Sequence, residues 1–123
     1  MKIPPDLWKL FRMHANLCKV LGTERRIAIM WLLGHGEMSV GEIAEAMDTS
    51  IHNISQHLRV MKERGVVTSE KRGQSVHYSL FNPKVVMACN LIREALLEQQ
   101  ETLGVFAEAV RGHLSEESHS PHE

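Results

Sequence analysis

His52, Asn53, Gln56 and Arg59 place an imidazole, two amides and a guanidinium within eight residues. They lie on a segment whose apolar residues Ile51, Ile54, Leu58 and Met61 recur at helical spacing. A helix built only to pack has little use for such groups where it begins. On the face opposite an apolar stripe, Asn and Gln can pair in bidentate fashion with adenine, and Arg with guanine. Ser50, Ser55 and His57 in the same stretch supply groups suited to phosphates or flanking base edges. The chemistry this implies is recognition of double-stranded DNA through a groove.

Such side chains work only if other elements hold their helix against a duplex. Pro4, Pro5 and Asp6 signal a helix start, and Leu7, Phe11, His14, Cys18 and Leu21 follow in one continuous seam. Gly22 ends this first helix, and Thr23 can cap a second, largely apolar one over "ERRIAIMWLL", closed by Gly34 and Gly36. Ser39 with Glu42 three residues on forms a capping box for a short third helix. Asp48, Thr49 and Ser50 make a turn into the fourth, polar-led helix, which ends at Gly65. The period then changes from helical to alternating. Val67 and Ser69 lead to a turn at Arg72, Gly73 and Gln74, and Val76, Tyr78 and Leu80 return, so a β-hairpin with a basic tip is expected. Lys71, Arg72 and Gln74 at that tip would run along the DNA backbone or reach the minor groove.

Pro83 opens a last helix, in which Val85, Cys89, Ile92, Leu96, Gln99, Leu103, Phe106 and Val110 keep heptad spacing. That spacing predicts one long helix with a helical partner. The whole is therefore expected to be mainly α with a small β-hairpin wing: a winged helix-turn-helix of order α-α-α-α-β-β-α, dimerising through its first and last helices. Residues 1–112 are expected to form the single domain, and residues 113–123 an acidic, His-containing disordered tail.

Bulk properties agree with one domain, since 123 residues with 43% hydrophobic side chains can bury a core. The formal charge of -1 hides a segregation. Between residues 50 and 79 five cations meet two carboxylates, whereas between residues 94 and 123 seven carboxylates meet Arg111 alone. One face is suited to a polyanion and another avoids it. No apolar stretch approaches a membrane span and the N-terminus has no apolar signal core, so a cytoplasmic protein without membrane association is expected. No Gly-rich phosphate loop, paired catalytic carboxylates or nucleophile with an adjacent base appears, which argues against an enzyme. No cofactor is expected.

The blocks "VLGTERRIAIMWLL", "SVGEIAEAMDTSIHNISQHLRVMKERGVV" and "KRGQSVHYSL" resemble the ArsR/SmtB repressors, in register over roughly residues 10–92. The resemblance implies a homodimer bound to an imperfect inverted repeat in an operator and released by an inducer. It also marks departures. The family's usual Gln at the start of the recognition helix is replaced by Ile51. Its Cys-Val-Cys thiolate pair falls on Ser39-Val40-Gly41, and its Asp-x-His and His-x-x-His ligands fall on Asn82, Lys84, Ala95 and Glu98. Neither set offers a transition-metal cage, so no metal site is expected.

Cys18 and Cys89 instead sit one on each helix expected to form the dimer contact. They can act as a thiol switch for an oxidant, reactive sulfur or a thiophilic ion, or they can be small buried hydrophobes. Two other readings of the chain stay open: a winged-helix repressor sensing a metal or small ligand at a non-standard site, and a winged-helix protein-interaction module.

Overall fold

In the computed structural model, which describes residues 1–99 and 104–118, the first helix α1 (Pro5–Val20) opens as the two prolines predict. Pro4 takes the N-cap position in extended backbone, and Pro5 supplies a first-turn residue whose missing N–H costs nothing there. Thr23 Oγ1 accepts the Arg26 backbone N–H and caps α2 (Glu24–Leu33). Gly34 follows with φ -63, so it is not needed for a left-handed turn. A Cβ there would lie 3.3 Å from Val86 Cγ1 and 3.2 Å from the Trp31 carbonyl oxygen. Gly34 therefore allows α2 and the start of the fifth helix to approach closely.

A short strand β1 (Met38–Ser39) precedes α3 (Val40–Ala46), whose capping box is complete. Ser39 Oγ accepts from the Glu42 backbone N–H, and Glu42 Oε1 accepts from that of Ser39. Asp48 makes the turn at φ 52, a left-handed conformation that a short polar side chain tolerates. Ser50 then caps α4 (Ile51–Glu63) by accepting the Asn53 N–H at 3.1 Å. The hairpin consists of β2 (Val67–Arg72) and β3 (Ser75–Leu80), with Arg72 opposite Ser75, so Gly73 and Gln74 form a two-residue loop. Gly73 at φ 63 supplies the positive dihedral that such a tight hairpin demands.

The expected order of elements is corrected in two places. β1 pairs antiparallel with β3, Met38 opposite Tyr78 and Ser39 opposite His77, giving a three-stranded sheet of order β1-β3-β2. Two residues are too few to show alternation, which is why the sequence hides this strand. The single long C-terminal helix is instead two, α5 (Pro83–Gln99) and α6 (Gly104–Ser118). Arg111 Nε lies 3.5 Å from Glu94 Oε1, although one continuous helix would hold residues seventeen apart on the order of 25 Å from each other. The second helix therefore turns back along the first. Leu97 and Ala107 are buried, while Leu96 and Ile92 on the expected seam stay exposed. Helical spacing continues across a break of this kind, so periodicity alone cannot reveal it. α6 also runs on through His113 to Ser118, where a disordered tail was expected; residues 119–123 lie outside the described ones.

The core is built from Ile29, Met30 and Leu33 of α2, Ile43 and Ala44 of α3, Ile54, Leu58 and Met61 of α4, and Val66 and Val67 at the root of the wing. α1 joins it through its last turn, with Leu17, Val20 and Leu21, and α5 through Val85 and Val86. The rest of these two helices leaves Trp8, Leu10 and Met13, and Met87, Leu91 and Ile92, exposed within the protomer. Among the described residues no helix is long and apolar enough to cross a membrane.

Candidate nucleic-acid interface

The buried stripe of α4 sets what its other face presents. Ile54, Leu58 and Met61 are fully buried, and His52, Ser55, Gln56 and Arg59 are exposed, as helical geometry requires of residues on the opposite side. The first turn of α4 has no acidic residue, so no carboxylate within it opposes an anion at the positive end of the helix dipole. Gln56 Nε2 lies 3.1 Å from His52 Nε2, a pairing that aligns the two side chains one turn apart. Arg59 Nε donates to Glu63 Oε1 at 3.3 Å on the exposed helix surface. Ile51, in place of the family's Gln, is 58% exposed and adds an apolar group at the leading edge.

Two residues of the expected set are placed differently from the rest. Asn53 is half-buried, and its Oδ1 is enclosed without a hydrogen-bond partner. In this rotamer it does not offer the outward carbonyl that bidentate adenine recognition needs. His57 is half-buried against α2, where its Nδ1 accepts from Arg26 Nε at 3.2 Å. Burial, then the guanidinium charges of Arg26 and Arg25, hold His57 below the usual histidine value. Arg26 and Arg25 are adjacent in sequence, and nothing in their spacing told which would face α4. The link was therefore missed.

At the wing, Lys71 and Gln74 are exposed, while Arg72 forms ion pairs with Glu37 and with Glu70. Glu37 was likewise missed, because it belongs to the hidden approach to β1. Lys62, at the end of α4, donates to Ser69 Oγ at 2.6 Å and ties the recognition helix to β2. The exposed polar face of α4 and the basic hairpin tip thus belong to one fixed unit, joined at Met61, Val66 and Val67 in the core.

Two of the positions matching the family's metal ligands, Ser39 and Asn82, cap helix starts. Ser39 and Glu42 make the capping box, which lowers the Glu42 carboxyl through hydrogen bonds from the Ser39 backbone and hydroxyl. Asn82 Oδ1 accepts the Lys84 backbone N–H at 3.0 Å at the start of α5. Cys18 and Cys89 are both free, Cys18 exposed and Cys89 half-buried.

Known proteins with this arrangement regulate transcription. A helix-turn-helix domain family matches residues 21–70, the span from α2 to β2. The arsenical resistance operon repressor of Escherichia coli is 33% identical over 110 residues, covering 88% of this chain and 94% of that one. The transcriptional activator HlyU of Vibrio cholerae is 34% identical over 76 residues, 62% of this chain and 70% of the relative. Its reduced structure superposes with a TM-score of 0.68 at 29% identity, over 75% of this chain and 97% of that one. A homodimeric winged helix-turn-helix DNA-binding domain from Mycobacterium bovis superposes with a TM-score of 0.67 at 25% identity, over 78% of this chain and 89% of that one.

Proposed function

Because the chain belongs to the ArsR/SmtB family of winged helix-turn-helix transcriptional regulators, we propose that it is a cytoplasmic homodimeric repressor that binds an imperfect inverted repeat in its operator and leaves it when Cys18 and Cys89 react. The observation that carries the DNA-binding half is the division of α4 into a fully buried stripe and an exposed face with His52, Gln56 and Arg59 beside a cationic wing. Ser50 and Ser55 contact flanking phosphates, and Lys71, Arg72 and Gln74 follow the backbone. Asn53 turns its amide outward on meeting the groove.

A two-fold dimer needs a self-complementary patch, and the exposed apolar side chains of α1 and α5 supply one. Cys18 and Cys89 sit on those two helices as free thiols. Oxidation joins their sulfurs, releases two protons and passes two electrons to the oxidant. The bond repositions α1 against α5 across the dimer and changes the separation of the two recognition helices. Reactive sulfur and thiophilic ions act on the same pair by bridging it. Support comes from the chemistry of the two thiols and their placement, together with the repressor among the relatives.

The test compares operator affinity of the reduced dimer with that after diamide or polysulfide, beside a Cys18→Ser, Cys89→Ser double variant. Release of the parent alone is expected. Unchanged tight binding by the oxidised parent would make the cysteines packing residues.

A further inference from the structure

Arg26 links three helices with one side chain. Its backbone N–H is held by Thr23 Oγ1 at 3.2 Å in the first turn of α2, its Nη1 donates to the Val20 carbonyl at 3.0 Å in the last turn of α1, and its Nε donates to His57 Nδ1 at 3.2 Å in the middle of α4. Apolar packing at the same junction, through Leu17, Val20 and Leu21, is non-directional and tolerates sliding. A planar guanidinium donating along two fixed directions does not.

We propose that Arg26 is a positioning residue for operator recognition, its guanidinium fixing the orientation of the recognition helix α4 relative to the dimerising helix α1. The inference rests on α4 reading the operator and α1 forming part of the dimer contact. If both hold, the angle between α1 and α4 in each protomer sets how far apart, and at what tilt, the two recognition helices meet successive major grooves. Small errors there are penalised on a specific site and tolerated on random DNA, which is held mainly through phosphates.

The contact also prescribes the state of His57. A ring nitrogen that accepts from a guanidinium carries no proton, so His57 is neutral with its proton on Nε2. Its half-buried position agrees with the neutral form. The charged groups acting on it are Arg26 and Arg25, both from α2, and both oppose a second positive charge. His57 therefore serves the interface from within, as the acceptor that anchors Arg26 to α4.

Two measurements test this. Imidazole 15N NMR of the parent at neutral pH is expected to show His57 with Nδ1 unprotonated and Nε2 protonated, and Arg26→Gln is expected to abolish that preference. A His57 proton on Nδ1, or a spectrum that Arg26→Gln leaves unchanged, overturns the proposal whether or not any variant binds DNA. Operator titrations with variants shown folded by circular dichroism form the second arm. Arg26→Gln and His57→Leu are each expected to weaken operator binding about tenfold and binding to unrelated DNA less than about twofold. The double variant is expected to bind no more weakly than the weaker single one. Additive losses, or equal losses on both DNAs, overturn the proposal. Gln56→Ala separates the premises: if it binds operator like the parent, the reading of α4 fails and takes the inference with it. If Gln56→Ala is weakened while Arg26→Gln is not, the inference alone fails.

Discussion

Arg72 at the end of β2 is clamped by Glu37, the residue that leads into β1. Nη1 of Arg72 meets Glu37 Oε1, Nη2 lies 3.4 Å from Glu70 Oε2, and His77 Nδ1 lies 3.8 Å from the same Glu37 oxygen. The most prominent guanidinium of the wing is thus already engaged by carboxylates before any phosphate arrives. Exposed ion pairs are worth about 0–1 kcal/mol, so a phosphate can displace or share the clamp at small cost.

Removing the competing carboxylate should therefore strengthen DNA binding. Glu37→Gln is expected to raise affinity for operator and unrelated DNA alike by about two- to fivefold and to steepen the dependence on salt. Lys71→Ala should weaken all sequences and reduce the salt slope by about 1. Arg72→Ala should do the same to a smaller degree, because its guanidinium is already engaged by Glu37 and Glu70 and has less charge to offer a phosphate. Fluorescence anisotropy over a salt series measures all three. A Glu37→Gln protein that binds no better than the parent would show that the clamp does not compete with DNA.

The proposed function places base recognition on the exposed face of α4. Gln56→Ala and Arg59→Ala should each cost about 1–3 kcal/mol on the operator while leaving nonspecific binding nearly intact. Asn53→Ala should lose less than Gln56→Ala, because Asn53 must first turn its enclosed amide outward. Competition titrations with operator and scrambled duplexes give both quantities. Should Asn53→Ala prove the more damaging, turning the enclosed amide outward costs too little to rank Asn53 below Gln56.

The core of this site was legible because it follows from a single period. Ile54, Leu58 and Met61 at helical spacing dictate that His52, Gln56 and Arg59 face away, and Ser50 and Ser39 announce helix starts through short-range hydrogen bonds. The change from helical to alternating spacing after Gly65 likewise marks the wing. What could not be read depends on contacts between distant segments. Arg26 with His57 and Glu37 with Arg72 are separated by 31 and 35 residues, and no local pattern selects Arg26 over Arg25. The fold-back of α6 onto α5 was hidden because apolar spacing persists across the break. The partner the heptads imply is supplied in part by the same chain, through Leu97, Ala107 and the Glu94–Arg111 pair.

His57 makes stability depend on pH in a defined direction. Its folded value lies below the usual 6.5, so the unfolded chain binds this proton more readily than the native one. The stabilising contribution is complete above about pH 6.5 and is lost as pH falls through the lower folded value. Thermal melts from about pH 7.5 downward should therefore fall more steeply for the parent than for His57→Leu, after allowing for the variant's lower starting stability. Parallel curves would mean that His57 is not held neutral in the fold.

The proposed homodimer is assigned to the exposed apolar faces of α1 and α5. A charge placed among them, Leu91→Glu on α5 or Trp8→Glu on α1, should leave the core intact, since neither residue belongs to it. Each should shift sedimentation toward the monomer and weaken operator binding by more than about tenfold, because one recognition helix alone contacts half a site. Dimers that persist in both variants would place the two-fold contact elsewhere.

The most direct test of sequence-specific operator recognition through α4 is the affinity of the reduced protein for the DNA upstream of its own gene, measured against a scrambled duplex at the same physiological salt. Binding to the upstream DNA at least about a thousandfold tighter, with protection of two half-sites about one helical turn apart, is the predicted result. Equal affinity for both duplexes would contradict it.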